Sequence, residues 1–250
     1  MCFELDSCPP VAAISGAAVS HDDLVLPSSD GTQFAAFAAT PDEPADRGVV
    51  ILPDVRGLYR FYEELALRFA ERGIAAVAID YFGRTAGIAK RPNDWAYMEH
   101  VQHTTQEGIQ ADLSAAVDYL RERGVRSIFT VGFCFGGRNS WLAAAAGHGL
   151  AGAVGFYGMP DERNGVPGPT QRARELAAPI LALQAGGDQH ITAQHNAAFE
   201  RALRDAGVEH EVVTYEGAPH SFFDRKQEEF ADASEEAWRR VLAFIERYSR

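Results

Sequence analysis

Cys134 stands in the segment Gly132-Phe133-Cys134-Phe135-Gly136-Gly137, and its surroundings suit a nucleophile. Glycines two positions away on either side suit an abrupt bend from strand to helix, where larger side chains would collide. Such a bend presents the sulfur at the carboxyl edge of a sheet and at a helix N-terminus, where the backbone dipole favours thiolate over thiol. A free cysteine is more commonly a small core residue. The paired glycines and the strand–bend–helix setting argue against that here.

A thiol of ordinary acidity needs a base, and the base needs a group to orient it. Two downstream segments offer them. Ala185-Gly186-Gly187-Asp188-Gln189-His190-Ile191 follows an apolar strand, Ile180–Gln184, and puts Asp188 in a glycine-rich turn. The alternative for this aspartate is a turn-former without chemistry. Glu216-Gly217-Ala218-Pro219-His220-Ser221-Phe222 follows the strand Glu209–Tyr215 and puts His220 on a loop at the same sheet edge. His190 abuts the acid, His195 falls in a helix and His210 in a strand, so each is a weaker base. Nucleophile, acid and histidine in that order, each after its own strand, form a recognisable hydrolytic arrangement. An oxyanion would rest on backbone N–H groups. We expect these from Phe135, just past the nucleophile, and from Val55 in Pro53-Asp54-Val55-Arg56-Gly57.

The elements that must position these residues follow from periodicity. Leu24–Leu26 and Gln33–Ala39 flank a Ser-Ser-Asp-Gly turn and read as an antiparallel hairpin. Val49–Leu52, Ile74–Ile79, Ser127–Val131 and Ala151–Phe156 read as short buried strands. Phe61, Leu65 and Phe69 mark one helix face; Ile109, Leu113, Ala116, Val117 and Leu120 mark another. Further helices are expected over Gly137–Ala146, Ala193–Ala206 and Ala231–Tyr248, with residues 80–103 forming a long connection. Short apolar strands alternating with helices predict an α/β fold: a mostly parallel sheet covered on both faces. Residues 1–20 read as an arm and 21–250 as one domain; 157–172 is too short for a separate lid.

Among 250 residues, 46% are hydrophobic and the net charge is −12, which disfavours nucleic acid and anionic membranes as partners. Three cysteines, Cys2, Cys8 and Cys134, are too few for a disulfide framework and indicate a reducing compartment. With acidic residues near the N-terminus and no apolar run long enough to span a bilayer, the expected location is cytoplasmic. His100 and His103 lack the co-ligands of a metal site. No cofactor is expected, and a monomer or homodimer is.

With these residues in hand, the chain resembles the dienelactone hydrolase family, of the α/β-hydrolase fold. The matching pieces are the Cys134 segment, Gly155-Phe156-Tyr157-Gly158, the Asp188 turn, Gly217 to Phe222, and Asp80-Tyr81-Phe82 before Arg84. The resemblance implies a cofactor-free Cys-His-Asp enzyme that opens lactones bearing a carboxylate. It also implies a thiol-activating acid at Asp54, where the family commonly has Glu, and a carboxylate-binding arginine at Arg84. A second family arginine shortly after the histidine is replaced by Asp224, with Arg225 next to it. Arg56 is a weaker anion-binding candidate. Trp95, Tyr97, Phe133, Phe135, Tyr157 and Phe222 are candidates to line an apolar pocket, with Tyr157 also a candidate substrate-binding or activating residue.

The expected function is hydrolysis of small carboxylic esters or lactones through a thioester. Two rivals stand beside it. One is a glutaminase- or deglycase-like thiol enzyme, whose histidine commonly lies much nearer the nucleophile. The other is a non-catalytic binding protein on a hydrolase fold, which loss of a triad member would favour.

Overall fold

A computed structural model describes residues 6–92, 95–224 and 228–250. In chain order it contains β1 (Val19–Pro27), β2 (Gln33–Pro41), β3 (Arg47–Leu52), α1 (Arg60–Ala70), β4 (Ala75–Ile79), α2 (Gly83–Ala86), α3 (Tyr97–Val101) and α4 (Gln106–Glu122). Then follow β5 (Ser127–Phe133), α5 (Phe135–Ala143), β6 (Gly152–Phe156), β7 (Ile180–Ala185), α6 (Ala193–Asp205), β8 (His210–Tyr215) and α7 (Ala231–Tyr248).

The strands form one sheet in the order β1-β2-β4-β3-β5-β6-β7-β8. β1 and β2 form the expected hairpin, longer than its apolar residues alone indicate, and β2 runs antiparallel to β4. Every pair from β4 to β8 is parallel. Because side chains alternate along a strand, β3 divides between two cores. Val49 and Ile51 join Phe61, Leu65 and Phe69 of α1 and Val241 and Ile245 of α7. Val50 and Leu52 join Ile109, Leu113 and Leu120 of α4 on the opposite face. Trp141 of α5 and Phe199 and Leu203 of α6 close a third cluster over β6 and β7.

The connection over 80–103 is less irregular than its sequence suggests, since it holds the short helices α2 and α3. Neither has the length or apolar stripe that makes a helix legible. In a parallel sheet all loops after strands emerge at one edge. Cys134, Asp188 and His220 follow β5, β7 and β8 and therefore share it. Before β1, the N-terminal segment lies on α1, where Glu71 accepts from the Ile14 N–H at 3.0 Å. Among the described residues no helix is long and apolar enough to cross a membrane.

Candidate active site

Cys134 is the single residue between β5 and α5, with φ 53° and ψ −110°. A non-glycine residue in such a conformation costs about 1–3 kcal/mol and persists only where its surroundings enforce it. Here its N–H donates to the Phe156 carbonyl at 3.0 Å, and its own carbonyl accepts from the Arg138 N–H at 3.2 Å. The flanking glycines have a measurable reason. A Cβ on Gly132 would lie 2.0 Å from the Gly136 carbonyl oxygen, and one on Gly136 would lie 2.0 Å from that of Leu52. The second close approach seats the loop after β3, with Val55, against the bend. Phe135 is the first residue of α5, so helix geometry leaves its N–H without an intrahelical acceptor.

Asp188 and His220 meet as expected. Asp188 Oδ2 lies 2.6 Å from His220 Nδ1. Asp188 Oδ1 accepts from the N–H groups of His190 at 2.8 Å and Ile191 at 3.1 Å. Burial alone would raise the pKa of this carboxyl. The His220 bond and the two backbone donors outweigh burial, so it lies below the ordinary aspartate value. His190 and His195 lie outside this pair. His195 caps α6 through Thr192, and His210 Nδ1 lies 2.6 Å from the Val208 carbonyl.

Tyr157, itself at φ 36°, brings its ring within 5.1 Å of the His220 ring. Phe133 and Phe222 are fully buried and belong to the core. Phe135 meets Tyr81 edge-on at 5.3 Å, and Trp95 packs 4.8 Å from Phe82.

Behind these groups lies a buried polar cluster that sequence reasoning did not assemble. Asp54 and Asp224 are both fully buried. The Tyr62 hydroxyl connects them, accepting from the Asp54 N–H at 3.1 Å and donating to Asp224 Oδ2 at 3.4 Å. Asp54 Oδ1 also accepts from the Arg56 N–H at 2.8 Å. Burial, and then the negative charge of Asp54, push the Asp224 carboxyl well above the ordinary range; nearby Tyr157, His220 and Ser221 oppose this but do not overcome it. Burial also keeps Tyr62 a neutral phenol. The sequence marks Asp54 and Asp224 separately, through the family resemblance, but not their meeting. Nothing in α1 marked Tyr62 among its apolar neighbours.

Arg84, expected to grip a substrate carboxylate, makes its contacts within the protein. Its guanidinium donates to Asp112 at 2.7 Å, Asp30 at 2.8 Å and Ser28 at 3.0 Å. The buried Asp112 carboxylate needs a cation, and Arg84 supplies it. Arg56 is mostly buried, with its guanidinium 4.9 Å above the Tyr59 ring. Arg225 and Cys2 lie outside the described residues, and Cys8 is exposed. Among the described residues no group of three or more His, Cys, Asp or Glu side chains is placed to hold a metal.

Comparison with known proteins agrees with this architecture. A carboxymethylenebutenolidase from Rhodococcus opacus is 28% identical over 262 residues, covering 99% of this chain and 97% of its own. An Escherichia coli K12 protein provisionally named carboxymethylenebutenolidase is 29% identical over 234 residues, covering 88% and 84%. A crystal structure from Klebsiella pneumoniae, provisionally named a dienelactone hydrolase, superposes with a TM-score of 0.81 at 25% identity, covering 91% of this chain and 98% of its own. The sequence pattern of the dienelactone hydrolase family matches residues 34–249. With its mostly parallel eight-stranded sheet and its bend at Cys134, the chain has the α/β-hydrolase fold, and it belongs to the dienelactone hydrolase family.

Proposed function

We propose that this hydrolase cleaves carboxylic esters or lactones with Cys134 as nucleophile, His220 as base and Asp188 as the group that orients the base. One observation carries the reading. The 2.6 Å Asp188–His220 pair and the strained, half-buried Cys134 emerge at the same sheet edge. Asp188 fixes the His220 tautomer with Nδ1 protonated, which leaves Nε2 to accept a proton. The relatives' name, carboxymethylenebutenolidase, supports a lactone as substrate.

The course follows from these groups. His220 draws the thiol proton, and the thiolate attacks the acyl carbonyl. The oxyanion rests on the N–H groups of Val55 and Phe135. Collapse breaks the acyl C–O bond and leaves a thioester, and His220 returns its proton to the departing oxygen. Water deprotonated by His220 then releases the acid and the thiolate. Asp54, buried beside the loop that carries Val55, is proposed to favour loss of the thiol proton. Tyr157 is proposed to hold the His220 ring. Arg84 has no part in this reading, because its donors are engaged elsewhere.

The test is a panel of aryl esters and lactones with wild type and Cys134→Ala. The variant is expected to lose on the order of 10³-fold or more in kcat. Stoichiometric alkylation of Cys134 that leaves ester hydrolysis intact would refute the assignment.

A further inference from the structure

Arg138 lies on α5 one turn beyond Cys134 and is buried. Among the described residues its guanidinium forms no ion pair with a carboxylate. Instead one terminal nitrogen donates to the carbonyls of Met159, at 3.1 Å, and Asp161; the other donates to those of Val166, at 3.0 Å, and Pro167, at 3.1 Å. All four acceptors belong to the loop that leaves β6 at Tyr157. The beginning of that loop is tied to the site: the Phe156 carbonyl accepts from Cys134 N–H, and Gln184 donates to the Gly158 carbonyl at 3.1 Å.

Beyond Gly158 the loop makes a tight reversal. Arg163 and Val166 exchange backbone hydrogen bonds, with Asn164 and Gly165 at positive φ between them. Gln171 fastens its base, accepting from Gly168 N–H at 2.9 Å and donating to the Asp161 carboxylate. A loop this rich in backbone acceptors would ordinarily turn them to water. A buried cation gathers them inward instead, and only a planar fork of donors can serve four carbonyls at once.

We propose that Arg138 is a positioning residue: by clamping the 159–167 loop it sets the wall beside Cys134 and so limits the size of acyl group that the site admits. This rests on the ester-hydrolase reading above. Lysine keeps the charge but presents a compact ammonium with three donors in place of the fork. The clamp therefore loosens without removing a charge.

The experiment compares p-nitrophenyl acetate, butyrate and octanoate on wild type, Arg138→Lys and Gln171→Ala, alongside timed trypsin cleavage after Arg163. Arg138→Lys is expected to lower KM for the octanoate about five-fold or more while kcat for the acetate stays within about two-fold. Trypsin should cut its loop about ten-fold faster, since cleavage follows the population of the opened form. Gln171 is exposed, so its alanine variant folds, and it should shift both readings the same way by less. Unchanged acyl-length dependence and unchanged cleavage in both variants would overturn the proposal. So would a uniform fall in kcat on all three esters at constant KM, since that places the effect on the nucleophile. A wild type that hydrolyses none of the esters would remove the underlying reading, and with it this one; failure of the clamp alone appears only in the variants.

Discussion

Two buried aspartates in this molecule behave in opposite ways. Asp188 is 8% exposed and its pKa lies below the ordinary aspartate value; Asp224 is 0% exposed and its pKa lies well above it. Burial penalises the charge of both, and far more heavily that of the fully enclosed Asp224. The neighbours differ as well. Asp188 receives two backbone N–H groups and the His220 ring, whereas Asp224 faces a second carboxyl, Asp54, across the Tyr62 hydroxyl. Asp188 is thus built to stay charged and hold an imidazole. Enclosure beside Asp54 favours the neutral form of Asp224. Asp112 stands between the two cases: its burial raises its pKa, while Arg84 pulls it back.

The largest test of this contrast is Asp188→Asn. It keeps the shape but offers His220 no carboxylate, so kcat is expected to fall on the order of 10³- to 10⁴-fold. Thermal unfolding should confirm that the fold survives. If Asp188→Asn retained full activity, the charged role of Asp188 would be lost, and Asp188 and Asp224 would no longer differ in kind.

Next comes Arg84→Met, which strips Asp112 of its cation. Breaking such a buried pair costs about 3 kcal/mol, measured by urea unfolding. Ester hydrolysis per folded molecule should barely change. A selective loss of activity on carboxylate-bearing substrates would return Arg84 to the site.

Tyr62→Phe removes the hydroxyl shared by Asp54 and Asp224, with an expected destabilisation of about 1–2 kcal/mol. The smallest effect, and one of opposite sign, belongs to Asp224→Asn. A carboxyl whose folded pKa is raised binds its proton more tightly in the folded state. Its contribution therefore favours folding below the unfolded pKa and is lost as pH rises toward the folded one. The amide removes that slope, so the variant should gain Tm relative to wild type as pH climbs from 4 to 7. Asp188 works the other way. Its depressed pKa adds stability above the unfolded value, and this is lost as pH falls through the folded value, so Asp188→Asn should flatten the acid side of the stability profile. Denaturation midpoints of both variants across this range decide the matter.

The residues that carry the proposed chemistry were legible without coordinates. Glycine spacing around Cys134 encodes a bend because sterics forbid side chains there, and loop residues after strands of a parallel sheet must share an edge. The order of Cys134, Asp188 and His220 along the chain therefore specifies that they face one edge. Periodicity of two and of 3.6 likewise marked most strands and helices, and failed over 80–103, where α2 and α3 are too short to show it.

The pairing of polar groups from distant segments was not legible. Arg84 could be read as a substrate-binding arginine until Asp112, Asp30 and Ser28 were seen around it. Asp54 and Asp224 are 170 positions apart and are joined through Tyr62. Arg138 was one helical residue among others until four carbonyls converged on it. The physical reason is one of range. Steric and periodic rules act within a few residues and are written in local sequence. The charge state of a buried group depends on which donors the folded chain brings within about 3 Å, and only the tertiary structure decides that.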